Sequence, residues 1–379
     1  MPSTRSVFAP VLALLVSASP VAQETADLPE EAINPRPLSW RPVERIAFGS
    51  CFDPVRGPGD IWFSVRDTEP DVFVLLGDNI YGDTEDMSVM RRKYDALDDI
   101  HHFARLREEA YVLATWDDHD YGVNDGGAEY PMREESQEVM LDWIDEPNGS
   151  WRRETPGIYD VELFGPEDQR VQIILLDTRY FRSPLARGEN TADRAEGVGG
   201  RYVMDFEHRE KTLLGEDQWS WLEQVLHQPA DIRIIASSIQ VVAEDHRFEK
   251  WANLPFERAR LFELLDDTDA DGVVFISGDR HRAELSLFDP ARATPGSGTF
   301  GDYPLYDITS SALNRSSRDR TFEERFGNEI NRHGLGQQYQ ADNFGVIDID
   351  WEAGTLTLQI MRDNGEPAIS RTIEIDELR

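Results

Sequence analysis

The sequence predicts a mixed α/β fold built on one sheet or two packed sheets. Three observations lead there. Short apolar runs of strand length recur at Arg45–Ser50, Val72–Leu76, Tyr111–Thr115, Val171–Leu176, Ile232–Ala236, Val273–Ser277 and Leu305–Thr309. They are rich in Val, Ile and Leu without polar alternation, as in sheets covered on both faces. Helical stretches lie between them, and the C-terminal part turns to alternating strands at Val346–Trp351, Thr355–Met361 and Ser370–Ile375.

Each helix has its own signal. Met90 to Glu109 reads as one long helix. In Gln218–Gln228, Trp219, Leu222 and Leu226 share one face and Pro229 ends the run. Pro255 opens the run to Leu265 at a position where its missing N–H costs nothing. Two polar stretches, Ser183–Lys211 and Asn314–Asp342, exceed ordinary loop length, and loops that long are usually functional or mobile.

The 379 residues set a prior of one large or two ordinary domains at about 150 residues each. A content of 40% hydrophobic and 29% charged residues excludes collagen, a membrane bundle and a wholly disordered chain. The net charge of −35 argues against tight nucleic-acid binding and against anionic membrane surfaces. A site of opposite sign then needs bound cations. Oligomeric state is not legible.

Met1 to Ala22 has one positive residue, Arg5, an apolar run from Val7 to Val16 and small residues at Ser17, Ala18, Ser19 and Ala22. This is the layout of a cleavable secretory signal, with cleavage after Ala18 or Ala22, and it predicts a secreted or periplasmic protein. The run is too short to span a bilayer, which takes about 20 residues. Residues 23–42 read as a lead-in, and 43–379 as a single domain. Cys51 is the one cysteine, so an intrachain disulfide is impossible.

Five of the apolar runs stop at polar residues of metal-ligating type: Gly49–Ser50–Cys51, Gly77–Asp78–Asn79–Ile80–Tyr81, Trp116–Asp117–Asp118–His119–Asp120, Ser237–Ser238–Ile239–Gln240 and Gly278–Asp279–Arg280–His281. Ligands of open α/β sheets bind beyond the carboxyl ends of the strands. If these strands are parallel, the groups converge on one rim. Cys, Tyr and His suit a transition metal. Asp with Gln or Asn oxygens suits a harder cation such as calcium. Asp78 is placed to bridge two ions, and two ions clamp a phosphoryl group and supply hydroxide at neutral pH. Neighbouring carboxylates favour the proton-donating form of His119, which would protonate a leaving oxygen with Asp120 fixing its orientation.

The strings FGSC, LLGDNIYGD, TWDDHDYGVND, LLDTRYFR and ISGDRHRAE resemble the alkaline phosphatase D (PhoD-like) branch of the calcineurin-like metallophosphoesterases, as do QVVAEDHRFEKWANLPFERARLFELL and PLYDITSSALN. The resemblance runs from about Arg45 to Trp351. It implies a four-layer α/β/β/α metallophosphoesterase sandwich, hydrolysis of phosphomonoesters or phosphodiesters outside the cytoplasm, and Fe3+ with Ca2+ as cofactors. Carried over by motif, it implies metal ligands at Cys51, Asp78, Tyr81, Asp118, Asp279 and His281. Asp117 remains an alternative to Asp118. Gln240 falls near the place of a further ligand. His119, Asp120 and Arg280 take the catalytic places, and Arg179 joins Arg280 as a candidate phosphate contact. Larger members carry a β-rich domain before the first motif, and the short C-terminal end predicts a more open site.

His101, His102, His208, His227 and His333 show no ligand spacing and read as surface histidines, while His246 lies in the family-like stretch before Lys250 and Trp251. The resulting reading is a secreted metal-dependent phosphoesterase acting on a small phosphate ester. The alternative is a non-catalytic secreted calcium-binding protein, which leaves the Cys–Tyr–His set unexplained. Redox chemistry at the iron fits the aspartate-rich second position less well than Lewis-acid chemistry.

Overall fold

The computed structural model describes residues 28–57, 60–188, 201–301, 303–317 and 331–379. The predicted secretory signal, Met1–Ala22, lies outside the described residues, as do the middles of both long polar stretches.

Two six-stranded sheets pack face to face. The first has the order β12-β11-β10-β1-β2-β3 and the second β4-β5-β6-β7-β9-β8. In the first, β1 (Arg45–Gly49), β2 (Val72–Leu76) and β3 (Tyr111–Thr115) run parallel, and the meander β10 (Asn343–Asp350), β11 (Thr355–Arg362) and β12 (Pro367–Glu374) is added antiparallel to β1. In the second, β5 (Val171–Leu175), β6 (Ile232–Ser237), β7 (Val273–Ser277) and β9 (Tyr306–Ser310) are parallel, with β4 (Asp160–Phe164) and β8 (Ala283–Leu287) antiparallel at the two edges.

The period-2 geometry of a strand explains the four layers. Val72, Val74 and Leu76 of β2 join the core between the sheets, while Phe73 and Leu75 face an outer core. That outer core holds Trp62, which packs on Phe52, Phe73 and Phe103. Helices Ile61–Asp67, Met87–Asp98, His101–Glu109 and Arg133–Trp143 supply it. On the far side, Trp219, Leu222 and Leu226 of Gly215–Leu226 and Leu261, Phe262 and Leu265 of Pro255–Asp267 cover the second sheet. The α/β/β/α sandwich is therefore present. The lead-in also packs: Ala32 is buried, and its carbonyl accepts the Trp221 indole N–H.

The expected single helix from Met90 to Glu109 is two helices. Ile100 is extended (φ −74°, ψ 111°), and the turn there lets Phe103 pack against Trp62 at 4.8 Å. Strands β4 and β8 and helix Arg133–Trp143 went unread. The alternation in β8 is masked by two buried polar residues, Glu284 and Ser286.

Gly77 closes the end of β2 with φ +93°, and a Cβ there would lie 2.4 Å from the Asp117 backbone nitrogen. Neither strain nor contact can relax through a side chain. Gly77→Ala is expected to cost about 3 kcal/mol of stability, read as a lower urea midpoint with unchanged slope.

Candidate metal centre

The predicted ligands Cys51, Asp78, Tyr81, Asp118, Asp279 and His281 are gathered at the carboxyl ends of the parallel strands, and Gln240 follows the end of β6. Four of these residues stand in left-handed backbone: Cys51 after β1 (φ 59°), Asp78 after β2 (φ 50°), and Asp279 and His281 after β7 (φ 65° and 54°). That conformation costs a non-glycine residue about 1–2 kcal/mol. Concentrated at strand ends it aims side chains that would otherwise follow the pleat, and such strain clusters at functional sites. The turns are tied together: Phe52 N–H donates to the Asp78 carbonyl at 2.8 Å, and Ser311 Oγ accepts from His281 N–H at 2.9 Å.

The ligand atoms of Cys51, Asp78 and His281 lie within 4.8 Å of one another, and so do those of Asp78, Asp118 and His119. Asp117, Asp118 and Asp279 form a third such set, and Asp118, Asp125 and Glu249 a fourth. Asp78 thus joins a thiol–imidazole group to a carboxylate group. The Tyr81 hydroxyl completes the first group, donating to Asp78 Oδ2 at 2.9 Å and lying 3.1 Å from His281 Nε2.

The unliganded electrostatics are unfavourable. Burial, reinforced by Asp118, Asp120 and Asp279 against the opposing His119, pushes the Asp78 carboxyl well up. Burial and then Asp117 and Asp118 do the same to Asp279. Burial also pushes up the Cys51 thiol and the Tyr81 phenol, with Asp78 adding to both. His281 is driven down to about 3 by burial and the nearby Arg315 charge. Asp118 Oδ1 and Asp117 Oδ2 are buried with no hydrogen-bond partner among the described residues. An unpartnered buried carboxylate oxygen calls for an ion or water. A multivalent cation satisfies these oxygens and reverses the repulsion, so the donor set fits two cations, one bound by S, N and phenol oxygen and one by carboxylates.

His119 opens the short helix side of the rim, with its side chain 16% exposed. Burial lowers its pKa, but Asp118, Asp78 and Asp83 outweigh burial and lift it to about 11. Its Nδ1 lies 2.7 Å from Asp83 Oδ1, and its ring packs on Tyr81 at 4.3 Å.

One of the site expectations needs correction. Asp120 does not orient His119: its carboxylate accepts from the backbone N–H groups of Asp78, Asn79 and Asp117 and from the Asn79 amide, stitching the ends of β2 and β3 together. Asp83 takes the contact with His119. Gln240, just beyond the end of β6, is buried; its amide nitrogen donates to Glu284 Oε1 at 2.6 Å and Thr309 Oγ1 at 2.8 Å, and its Oε1 has no hydrogen-bond partner among the described residues.

The arginines divide. Arg179 is fully buried between Asp117 and Glu249, and Arg182 lies 3.3 Å from Glu249, so both brace the acidic wall. Arg280, between Asp279 and His281, stacks its guanidinium 4.1 Å from the Phe248 ring centroid. His246 is buried behind it, its Nδ1 accepting from Phe248 N–H at 3.2 Å. His333 is buried beside Glu244 rather than at the surface. Asp83, Asp125, Glu249 and Arg315 were missed, although Asp83 sits inside the string GDNIYGD.

The profile of a family described as PhoD-like phosphatase matches residues 156–360, just over half of the chain. The chain belongs to the PhoD-like phosphatase family. It is accordingly a metal-dependent phosphoester hydrolase. The matched span carries Asp279, Arg280 and His281; geometry joins Cys51, Asp78, Tyr81, Asp118 and His119 to them. Among solved structures, one described as PhoD matches with a TM-score of 0.64 and 15% identity over 90% of this chain and 70% of that one. Purple acid phosphatase PPD1 from yellow lupin (Lupinus luteus) seeds gives 0.57 and 12%, over 90% of this chain and 55% of that one. GAP50, described as the anchor in the inner membrane complex of Plasmodium, gives 0.53 and 12%, over 88% and 89%. At these identities the structural likeness establishes the fold shared with this PhoD-like chain. No curated protein matches the sequence. Among the described residues no helix is long and apolar enough to cross a membrane.

Proposed function

We propose that this PhoD-like protein is a secreted phosphoesterase holding Fe3+ at Cys51, Asp78, Tyr81 and His281 and Ca2+ at Asp78, Asp118 and Asp279. The observation that carries the reading is the buried Asp78 carboxylate, shared between a thiol–phenol–imidazole group and a carboxylate group. When bound, the cations supply Lewis acidity toward phosphoryl oxygens and a nucleophile at neutral pH. The protein's own groups do the rest. His119, with Nδ1 committed to Asp83, has Nε2 for the leaving oxygen. Asp120 fixes the backbone that carries Asp78, and Arg280 stands beside Asp279 as a phosphate contact. A single domain from residue 43 carries the whole site, and secretion rests on the layout of Met1–Ala22.

The test is metal analysis of the purified protein with hydrolysis of p-nitrophenyl phosphate and bis-p-nitrophenyl phosphate, with and without added calcium. Bound iron and calcium-dependent hydrolysis are expected. Calcium without iron and no hydrolysis, in folded protein also supplied with iron, would return the calcium-binding reading. Cys51→Ser keeps a small polar group among Ser50, Asp78 and Ser311 but removes the soft donor. It is expected to lower iron retention about 10–100-fold with metal-free stability within about 1 kcal/mol. Unchanged iron content would remove Cys51 from the ligand set.

A further inference from the structure

Beyond β9 the chain runs along the first metal-ligating turn and is fastened to it. Leu313 N–H donates to the Ser50 carbonyl at 3.0 Å, and Asn314 N–H to the Cys51 carbonyl at 3.3 Å. The Asn314 side chain clamps Asp53 from both sides, accepting from its N–H at 2.7 Å and donating to its carbonyl at 2.8 Å. The next residue, Arg315, is therefore presented from fixed backbone. Its guanidinium carbon lies 3.8 Å from the Tyr81 ring centroid, and the Tyr81 hydroxyl bonds the shared Asp78. Its side chain is 24% exposed. Among the described residues the carboxylate within ion-pair distance is Asp53, at 3.2 Å from one terminal nitrogen. A guanidinium has five N–H donors, so most of this fork is not spent on Asp53.

Arg280 stacks on Phe248 on the Asp279–His281 side, and three further cations near the cluster are engaged within the protein. Arg179 and Arg182 are buried against Asp117 and Glu249, and Lys93 is bound to the Tyr81 carbonyl. An anionic substrate approaching a chain of net charge −35 meets repulsion nearly everywhere. A planar cation fixed at the mouth, over the phenol of the first metal group, offers local attraction and directional donors.

We propose that Arg315 is the specificity residue that makes this site favour phosphomonoester dianions over phosphodiesters. The proposal rests on the phosphoesterase reading above. Cations held by the groups that share Asp78 would engage two non-bridging phosphoryl oxygens. A monoester dianion has a third, and one more negative charge shared over the three. The Arg315 fork is the donor placed for it. A diester presents only two non-bridging oxygens and one charge, leaving Arg315 nothing comparable to bind. Arg315 holds no reacting atom and transfers no proton; it binds the group the reaction leaves unchanged.

The experiment uses the metal-loaded full chain and the variants Arg315→Ala and Arg315→Lys. Steady-state kinetics are measured on p-nitrophenyl phosphate and bis-p-nitrophenyl phosphate, with inorganic phosphate affinity by calorimetry and metal content of every sample. Arg315→Ala should raise KM for the monoester about tenfold or more, lower the monoester-to-diester ratio of kcat/KM by about tenfold, and weaken inorganic phosphate binding to match. Metal content should stay at the wild-type level, and Arg315→Lys should recover part of the loss. Equal losses on both esters, an unchanged phosphate affinity, or a fall in bound metal would overturn the proposal, the last by making Arg315 a prop for Tyr81. If the unaltered protein hydrolyses neither ester, the phosphoesterase reading fails and the ester preference falls with it, whereas hydrolysis of both with a ratio that Arg315→Ala leaves unchanged overturns the Arg315 proposal alone.

Discussion

Asp78→Asn is expected to abolish hydrolysis while making the metal-free protein more stable. Asp78 is buried, and its carboxylate is the atom group common to the Cys51–His281 and Asp118–His119 sets. An amide in its place keeps the shape but removes the charge that draws two cations together. At about 1.36 kcal/mol per decade, a loss of kcat/KM of about 10⁴-fold corresponds to some 5 kcal/mol. Without metal the same substitution removes a charge that burial and three surrounding acids oppose. Urea unfolding in chelator should therefore show a higher midpoint, and metal titration a much weaker affinity. A variant that loses activity together with metal-free stability would mark Asp78 as a structural residue instead.

His119→Ala should lower turnover in proportion to how much the leaving oxygen needs a proton. Without cations Asp118, Asp78 and Asp83 lift the imidazole to about 11; bound cations would offset the first two, leaving the contact with Asp83 Oδ1 to favour the proton-donating form. General-acid help is worth about 10²–10⁴-fold where the departing alkoxide is basic, and little where it is acidic. Alkyl phosphates should lose that full factor, and nitrophenyl phosphates about tenfold or less. The measurement is the slope of log kcat/KM against leaving-group pKa, which should steepen in the variant. A parallel shift of the whole line would assign His119 to metal or phosphate binding.

The rim was legible in the sequence because its residues end strands. A buried parallel strand leaves a continuous apolar signature, and the polar residue that stops it is the one that reaches solvent or ligand. Cys51, Asp78, Tyr81, Asp118, Asp279 and His281 were accessible by that logic. Asp120 was not, because successive residues in the helix Asp118–Tyr121 project about 100° apart, so a neighbour in sequence turns its side chain elsewhere. Asp83 reaches His119 across 36 positions through the end of β2, a pairing that only the packed strands create. Asp117 and Asp118 could not be ranked from sequence. In the fold each keeps one oxygen unpartnered: Asp117 Oδ1 is held by Arg179 and Ser238 and Asp118 Oδ2 by the Asp125 N–H, but Asp118 joins three donor sets and Asp117 one.

The lone cysteine gains a different meaning once the two sheets are seen to meet at the metal centre. Cys51, Asp78 and Asp118 leave the first sheet, and Asp279 and His281 leave the second, some 230 positions from Cys51. A chain with one thiol cannot close that distance covalently. Cations gripped from both sheets close it instead, restricting the unfolded chain as a long-range crosslink does, where loop closure is worth most. Loading the site is then a form of stapling: the protein's resistance to unfolding would track the supply of metal, and a chelator would act on it as a reductant acts on a disulfide-bonded protein.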